Sequence, residues 1–111
     1  MNGKDYQQLA MRTANKELSM EDQLLNTALG LTGEAGEFAD LIKKTRFQGH
    51  PADREHLVKE LGDILWYVAL GCEALGYTFD DAMDINIAKL KARYPDGFKP
   101  QLSIVRKDGD V

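Results

Sequence analysis

The three prolines of this 111-residue chain, Pro51, Pro95 and Pro100, all fall between or after stretches of helical periodicity and never inside one. Proline removes a backbone donor and clashes with the preceding turn, so a chain that keeps it out of its periodic segments is free to build long helices. Boundary signals agree with that reading. Ser19 with Asp22 and Thr78 with Asp81 each resemble a capping pair at a helix start, Gly76 suits a left-handed C-cap, and Pro95-Asp96-Gly97 reads as a turn. The expected helices run over about residues 4–18, 19–47, 53–76 and 78–94. Strand signals are nearly absent, with only residues 102–105 able to make one. The chain is therefore predicted to be all-α, a four-helix bundle-like single domain over residues 1–98 with a polar C-terminal tail at 99–111.

Composition narrows the function classes. Eighteen Asp and Glu against fourteen Lys and Arg give a net charge of -4, which argues against a protein that coats a nucleic acid polymer by neutralising phosphates. Phosphate-bearing small molecules stay open only if the charge is locally organised. At 43% hydrophobic and 29% charged, the chain has the make-up of an ordinary soluble globular protein. The single cysteine, Cys72, excludes an internal disulfide and reads as a buried thiol. No apolar stretch approaches the roughly 20 residues that span a bilayer, and the opening MNGKDYQQ lacks the apolar core of a signal peptide. The expectation is a cytoplasmic protein with no membrane partner.

The informative acids lie on the second and third helices. At helical spacing, Leu24, Ala28, Leu31, Ala35, Phe38 and Ile42 make the expected core stripe of the second helix, flanked by an acidic edge of Glu34 and Glu37 with Gly30 and Leu41 on the same side. Gly30, Gly33 and Gly36 interrupt this helix, each at a cost of about 1 kcal/mol relative to alanine, which suits close approach of a partner helix or of a ligand. In the third helix LGDILWYVALGC is apolar almost all round, and Glu60 and Asp63 share one edge with Tyr67, away from Leu57, Leu61, Ile64, Val68 and Leu75. A carboxylate in such surroundings is costly unless paired, protonated or bound to a cation. An ExxE on a helix is usually a solvated face. Two acidic pairs on consecutive antiparallel helices would instead bring four carboxylates together, and their repulsion asks for a hard, oxygen-liking cation such as Mg²⁺, Mn²⁺ or Ca²⁺. The two histidines, His50 and His56, lie in or near the loop, and no Glu-x-x-His is present, which disfavours di-iron.

On the fourth helix Phe79, Met83, Ile87, Leu90 and Tyr94 form a stripe bordered by Asn86, Lys89 and Arg93. An amide, an ammonium and a guanidinium on one edge suit phosphate oxygens, and they suit the carboxylates of the other helices as well. With carboxylate-held cations bridging phosphate oxygens, a carboxylate left free of metal would take the proton of an attacking water, and Glu37 is the choice for that base. Other residues read more plainly. Trp66, opposite the apolar stripe of its helix, fits a subunit interface better than a base-stacking platform. Tyr67 is placed to reach the site, Asp40 reads as solvated or ion-paired, and Lys43, Lys44 and Arg46 read as cations at a helix C-terminus.

In order, GEAGEFADLIKK, KELGDILWYVA and NIAKLKARYPDGF resemble the MazG-like nucleoside triphosphate pyrophosphohydrolases of the all-α NTP pyrophosphatase group, over roughly residues 29–98. The family pattern is an ExxE, a spacer, an ExxD, and a later helix with Lys and Arg four apart before an aromatic-Pro. The resemblance implies that Glu34, Glu37, Glu60 and Asp63 coordinate Mg²⁺, with Mn²⁺ as a substitute. It implies that Lys89 and Arg93 contact the substrate phosphates, with Asn86 as a further contact. It implies hydrolysis of a nucleoside triphosphate, often a deoxynucleotide, to the monophosphate and pyrophosphate by attack at the α-phosphorus, in a homodimer or homotetramer that shares helices across its interface. The first helix and residues 45–53 vary in the family and are expected to help choose the base. The competing reading is a non-catalytic helical oligomerisation module whose acidic and basic edges pair between subunits. A further alternative is a relative in the same superfamily acting on dUTP or phosphoribosyl-ATP.

Overall fold

Capping chemistry sets the helix ends in the computed structural model, which describes residues 1–111. Helix α1 (Gly3–Ala10) opens where the Asn2 side chain accepts from the Asp5 amide at 2.9 Å, and α2 (Met20–Phe47) where the Ser19 hydroxyl accepts from the Asp22 amide at 3.1 Å. Helix α3 (Arg54–Leu75) starts on Asp53, whose carboxylate takes the His56 amide at 3.0 Å, and stops at Gly76 with a left-handed φ of 76°. Helices α4 (Phe79–Arg93) and α5 (Pro100–Ile104) complete an all-helical chain without strands. No helix is long and apolar enough to cross a membrane. The chain divides into two compact units, Met1–Phe79 and Asp80–Val111.

The first unit is built on an α2–α3 hairpin. Position numbers rise along α2 as they fall along α3: Thr27 meets Gly71, Gly30 meets Tyr67, and Glu34 meets Glu60, so the two helices run antiparallel. A side chain at Gly30 would collide with the Tyr67 ring, and one at Gly71 would come within 3.0 Å of the Thr27 methyl, so both glycines let the helices approach closely. Met11, Ala69 and Leu70 form a small core, with Tyr6, Trp66, Tyr67 and Phe79 packed around it. Buried Gln7 ties α1 to the far end of α3, donating to Glu73 at 2.7 Å and to the Tyr77 carbonyl at 3.2 Å and accepting from the Phe79 amide at 2.6 Å.

Four expectations are corrected. The first helix ends at Ala10 and gives way to a short 3₁₀ turn, Met11–Thr13, rather than continuing to residue 18. Its end is shaped by Trp66, whose indole N–H reaches the Ala10 carbonyl at 3.0 Å and the Thr13 hydroxyl at 2.9 Å, so that Trp66 docks α1 within the chain. The segment proposed as a strand lies mostly in α5, begun by Pro100 at its N-terminus, where a missing N–H costs nothing. The predicted apolar stripes are covered only in part, Leu24, Leu31, Phe38, Leu57, Ile64 and Val68 being half-buried. Ala28, Ala35, Ile42, Leu61 and Leu75 are exposed, whereas Thr27, Gly30, Glu34, Glu60, Tyr67 and Gly71 occupy the seam. Small and polar residues carry no hydrophobic period, yet they allow the closest helix approach.

Candidate functional site

Antiparallel pairing of α2 with α3 carries Glu34 and Glu37, one helical turn apart, opposite Glu60. One carboxylate oxygen from each of the three lies within 4.8 Å of the other two. Glu60 is buried, Glu34 half-buried and Glu37 exposed, so the group grades from the helix seam to solvent. Oε2 of Glu34 and Oε2 of Glu60 are both shut off from solvent with no donor facing them. Two such atoms in a seam call for a shared proton or a cation between them. The other oxygen of Glu60 is accounted for: His56 Nε2 sits 3.2 Å from Oε1, one turn earlier on the same helix.

Electrostatics follow from this crowding. The Glu34 carboxyl is pushed up from 4.5 to about 7, first by sharing a hydrogen bond with Glu60, then by burial, then by the negative charges of Glu37, Asp63 and Glu60. Asp63 is felt here as charge but stands outside the close trio. It faces α1 as well, where burial and then its charge raise the Tyr6 hydroxyl. Tyr67 covers the seam over Gly30, its ring edge-on to Trp66 with centroids 5.0 Å apart. The trio fits a hard divalent cation: all its donors are oxygens, two are unsatisfied, and one side is open to solvent.

Room for a ligand lies alongside. A cleft of about 360 Å³ is lined by Gly33, Gly36, Glu37, Asp40, His56 and Glu60, and nothing lies within 4 Å of where a side chain at Gly33 or Gly36 would begin. Next to it, sharing Leu41 and His56, a cavity of about 440 Å³ is walled by Lys44, Thr45, Leu57 and the loop residues His50, Pro51, Ala52 and Asp53. Asp40 is ion-paired to Lys44 at 2.8 Å and Lys43 at 3.3 Å, as its sequence position suggested.

The cationic set belongs to the second unit. Asn86 and Lys89 are exposed on α4, while Arg93 is half-buried and engages Asp110, Nε to Oδ2 at 2.8 Å and Nη2 to Oδ1 at 2.7 Å. The structure thus brings Glu34, Glu37 and Glu60 together in the first unit, leaves Asp63 at the margin of that trio, and gives Arg93 a carboxylate partner in its own unit. Sequence reasoning names His56 only as a histidine in or near the loop, without its contact to Glu60, and gives Asp110 no role. The His56–Glu60 spacing of four on one helix was a usable signal. Asp110, seventeen residues from its partner, offered none.

A family model for the MazG nucleotide pyrophosphohydrolase domain matches residues 22–98. One relative, the gene 37 protein of Mycobacterium phage L5, is 36% identical over 69 residues, which is 59% of this chain and 60% of that protein. The match therefore spans less than two thirds of the relative's own length. No solved structure matches the chain.

Proposed function

The chain belongs to the MazG nucleotide pyrophosphohydrolase family, and from that premise we propose that it hydrolyses nucleoside triphosphates, deoxynucleotides among them, to monophosphate and pyrophosphate in a Mg²⁺-dependent reaction, with Mn²⁺ able to substitute. The observation that carries the reading is the trio of Glu34, Glu37 and Glu60 with two buried oxygens that no donor satisfies. Glu34 and Glu60 hold the cation in this proposal, Glu37 closes the site from the solvent side, and Asp63 adds charge or a ligand from the next turn. When bound, the cation supplies positive charge to the phosphate oxygens and acidifies a nearby water. Glu37, the exposed member, is the group that accepts the water's proton as its oxygen bonds to the α-phosphorus and the bridging oxygen departs with pyrophosphate. Lys89, Arg93 and Asn86 are proposed as contacts to the substrate's phosphate oxygens, as the family pattern implies for these positions, and Tyr67 bounds the acidic trio at the Gly30 side. The cavity around residues 44–57 is the place for the nucleoside, because it adjoins the trio through His56 and offers both polar and apolar wall.

A homo-oligomer belongs to the same proposal. Leu25 and Leu29 on α2 and Val58, Leu61 and Leu65 on α3 are large apolar side chains left in solvent, with Leu29 66% exposed, and no large side chain is fully buried. A second copy covering these helices would supply the burial that one chain lacks, as a dimer or as a tetramer.

The test is a panel of canonical and modified nucleoside triphosphates incubated singly with Mg²⁺. Monophosphate and pyrophosphate in equal amounts are expected from at least one, with the oxygen of isotopically heavy water found in the monophosphate. Release of orthophosphate, label in the pyrophosphate, or no product from any nucleotide would overturn the proposal.

A further inference from the structure

The contact between Arg93 and Asp110 has the form that a guanidinium gives to a phosphate. Two parallel N–H donors meet two oxygens at 2.8 and 2.7 Å, and the two side chains are only 11% and 14% exposed. Around them the second unit holds a cleft of about 380 Å³ lined by Lys89, Ala92, Lys107, Asp108, Gly109 and Asp110, with Val111 at its edge. Gly109 takes a left-handed φ of 83°, and the Asp110 amide donates back to the Lys107 carbonyl at 3.1 Å, so a turn presents Asp110 to α4. Residues 105–109 and Val111 are exposed, which leaves Asp110 as the anchor of this segment. Arg93, and after it the charges of Arg106 and Lys89, keep the Asp110 carboxyl below the usual carboxylate range, against the opposing effect of burial. An acid thus sits on Arg93 in a cleft that Lys89 also lines.

We propose that residues 106–111 form a strap that holds the Asp110 carboxylate in an anion seat of Arg93, and that a polyphosphate enters this seat by displacing it. The proposal rests on the reading of Lys89 and Arg93 as phosphate contacts. It adds a competition inside the chain: the apparent affinity for a polyphosphate equals the intrinsic affinity reduced by the fraction of molecules with the strap open. Two consequences separate a strap from a merely structural ion pair. Loosening it strengthens polyphosphate binding instead of weakening the protein's function, and the gain appears in KM rather than in kcat.

The experiment measures inorganic tripolyphosphate binding by calorimetry, without metal, for the full chain and for Asp110→Asn and Asp110→Ala, together with KM and kcat on any nucleotide hydrolysed. Asp108→Asn removes the same charge from the same cleft without touching Arg93. With a strap closed for about nine tenths of the molecules, the Asp110 variants bind tripolyphosphate about tenfold more tightly and show a KM lower by about the same factor, kcat being unchanged. Asp108→Asn shows less than half of that gain, and in an Arg93→Ala background the Asp110 substitutions give none. Equal gains from Asp108→Asn and Asp110→Asn, or no gain from either Asp110 variant, would overturn the strap. Tighter tripolyphosphate binding with no hydrolysis by any variant retains the strap and removes the hydrolase reading. Hydrolysis with unchanged affinities retains the hydrolase and removes the strap.

Discussion

The α2–α3 seam and the end of α4 both gather charged side chains where water is partly excluded, but they dispose of that charge in opposite ways. In the seam three carboxylates crowd within 4.8 Å, two oxygens face no donor, and His56 reaches only the other oxygen of Glu60. At the end of α4, Arg93 and Asp110 satisfy each other through two short hydrogen bonds. Like charges held together without a counter-ion lower stability, which is the physical ground for the cation site proposed in the seam. The paired site is complete as it stands, and to bind anything it has to open. One region therefore gains by binding, and the other has to give up a contact first.

The largest expected effect breaks this contrast at the seam. Glu34→Gln is predicted to lower metal-dependent turnover by on the order of 10²–10³, in the range seen when a group that stabilises developing charge is removed. The same change should raise the melting temperature of the metal-free protein at about pH 8, because it takes one negative charge out of the cluster. A variant that loses turnover and also melts lower would contradict the idea that the seam is electrostatically strained.

A smaller effect concerns pH, and the two regions have opposite signs. Glu34 is raised from 4.5 to about 7 by folding, so the folded state holds a proton that the unfolded state has already released. Stability of the metal-free protein should fall as pH rises through that window and level off above it, a slope that saturating Mg²⁺ flattens. Asp110 is lowered by Arg93, so its contribution is present above the ordinary carboxylate value of 3.8 and is lost as pH drops through its folded value. Melting temperatures across pH, with and without Mg²⁺, measure both. A flat metal-free profile between about pH 5 and about pH 8 would deny the seam its strain.

The smallest effect tests packing beside the site. Gly30→Ala places a methyl group against the Tyr67 ring and should cost about 1–3 kcal/mol. Gly36→Ala meets open space on the same helix and should stabilise by about 0.5–1 kcal/mol through helix propensity. Chemical denaturation of the two variants gives both numbers. Equal and opposite-to-expected shifts would mean that α2 meets α3 elsewhere than along Gly30.

What the sequence discloses and what it hides follows from the range of the interactions. Ser19, Asp53 and Gly76 mark helix ends because capping joins residues a few positions apart, and each lies where the spacing indicated. The acidic pairs were visible for the same reason, as was the MazG resemblance that the family match supports. The seam was only half legible because hydrophobic periodicity counts apolar residues, whereas Thr27, Gly30, Glu34 and Gly71 also lie where α2 meets α3. Trp66 reads from the sequence as an interface residue because its partners Ala10 and Thr13 lie more than fifty residues away. The Arg93–Asp110 pair is of the same kind: local pattern cannot announce a contact made by the chain turning back on itself.

The central claim, that crowded carboxylates in the α2–α3 seam are a divalent-cation site, is tested most directly by calorimetric titration of Mg²⁺ into the 111-residue chain at about pH 8, beside Glu60→Gln under the same conditions. The account predicts saturable binding to the unaltered chain, release of a proton as pH is lowered toward 7 where Glu34 titrates, and loss of the saturable heat in Glu60→Gln. Equal Mg²⁺ binding by both proteins, or no saturable binding by the unaltered chain, would contradict it.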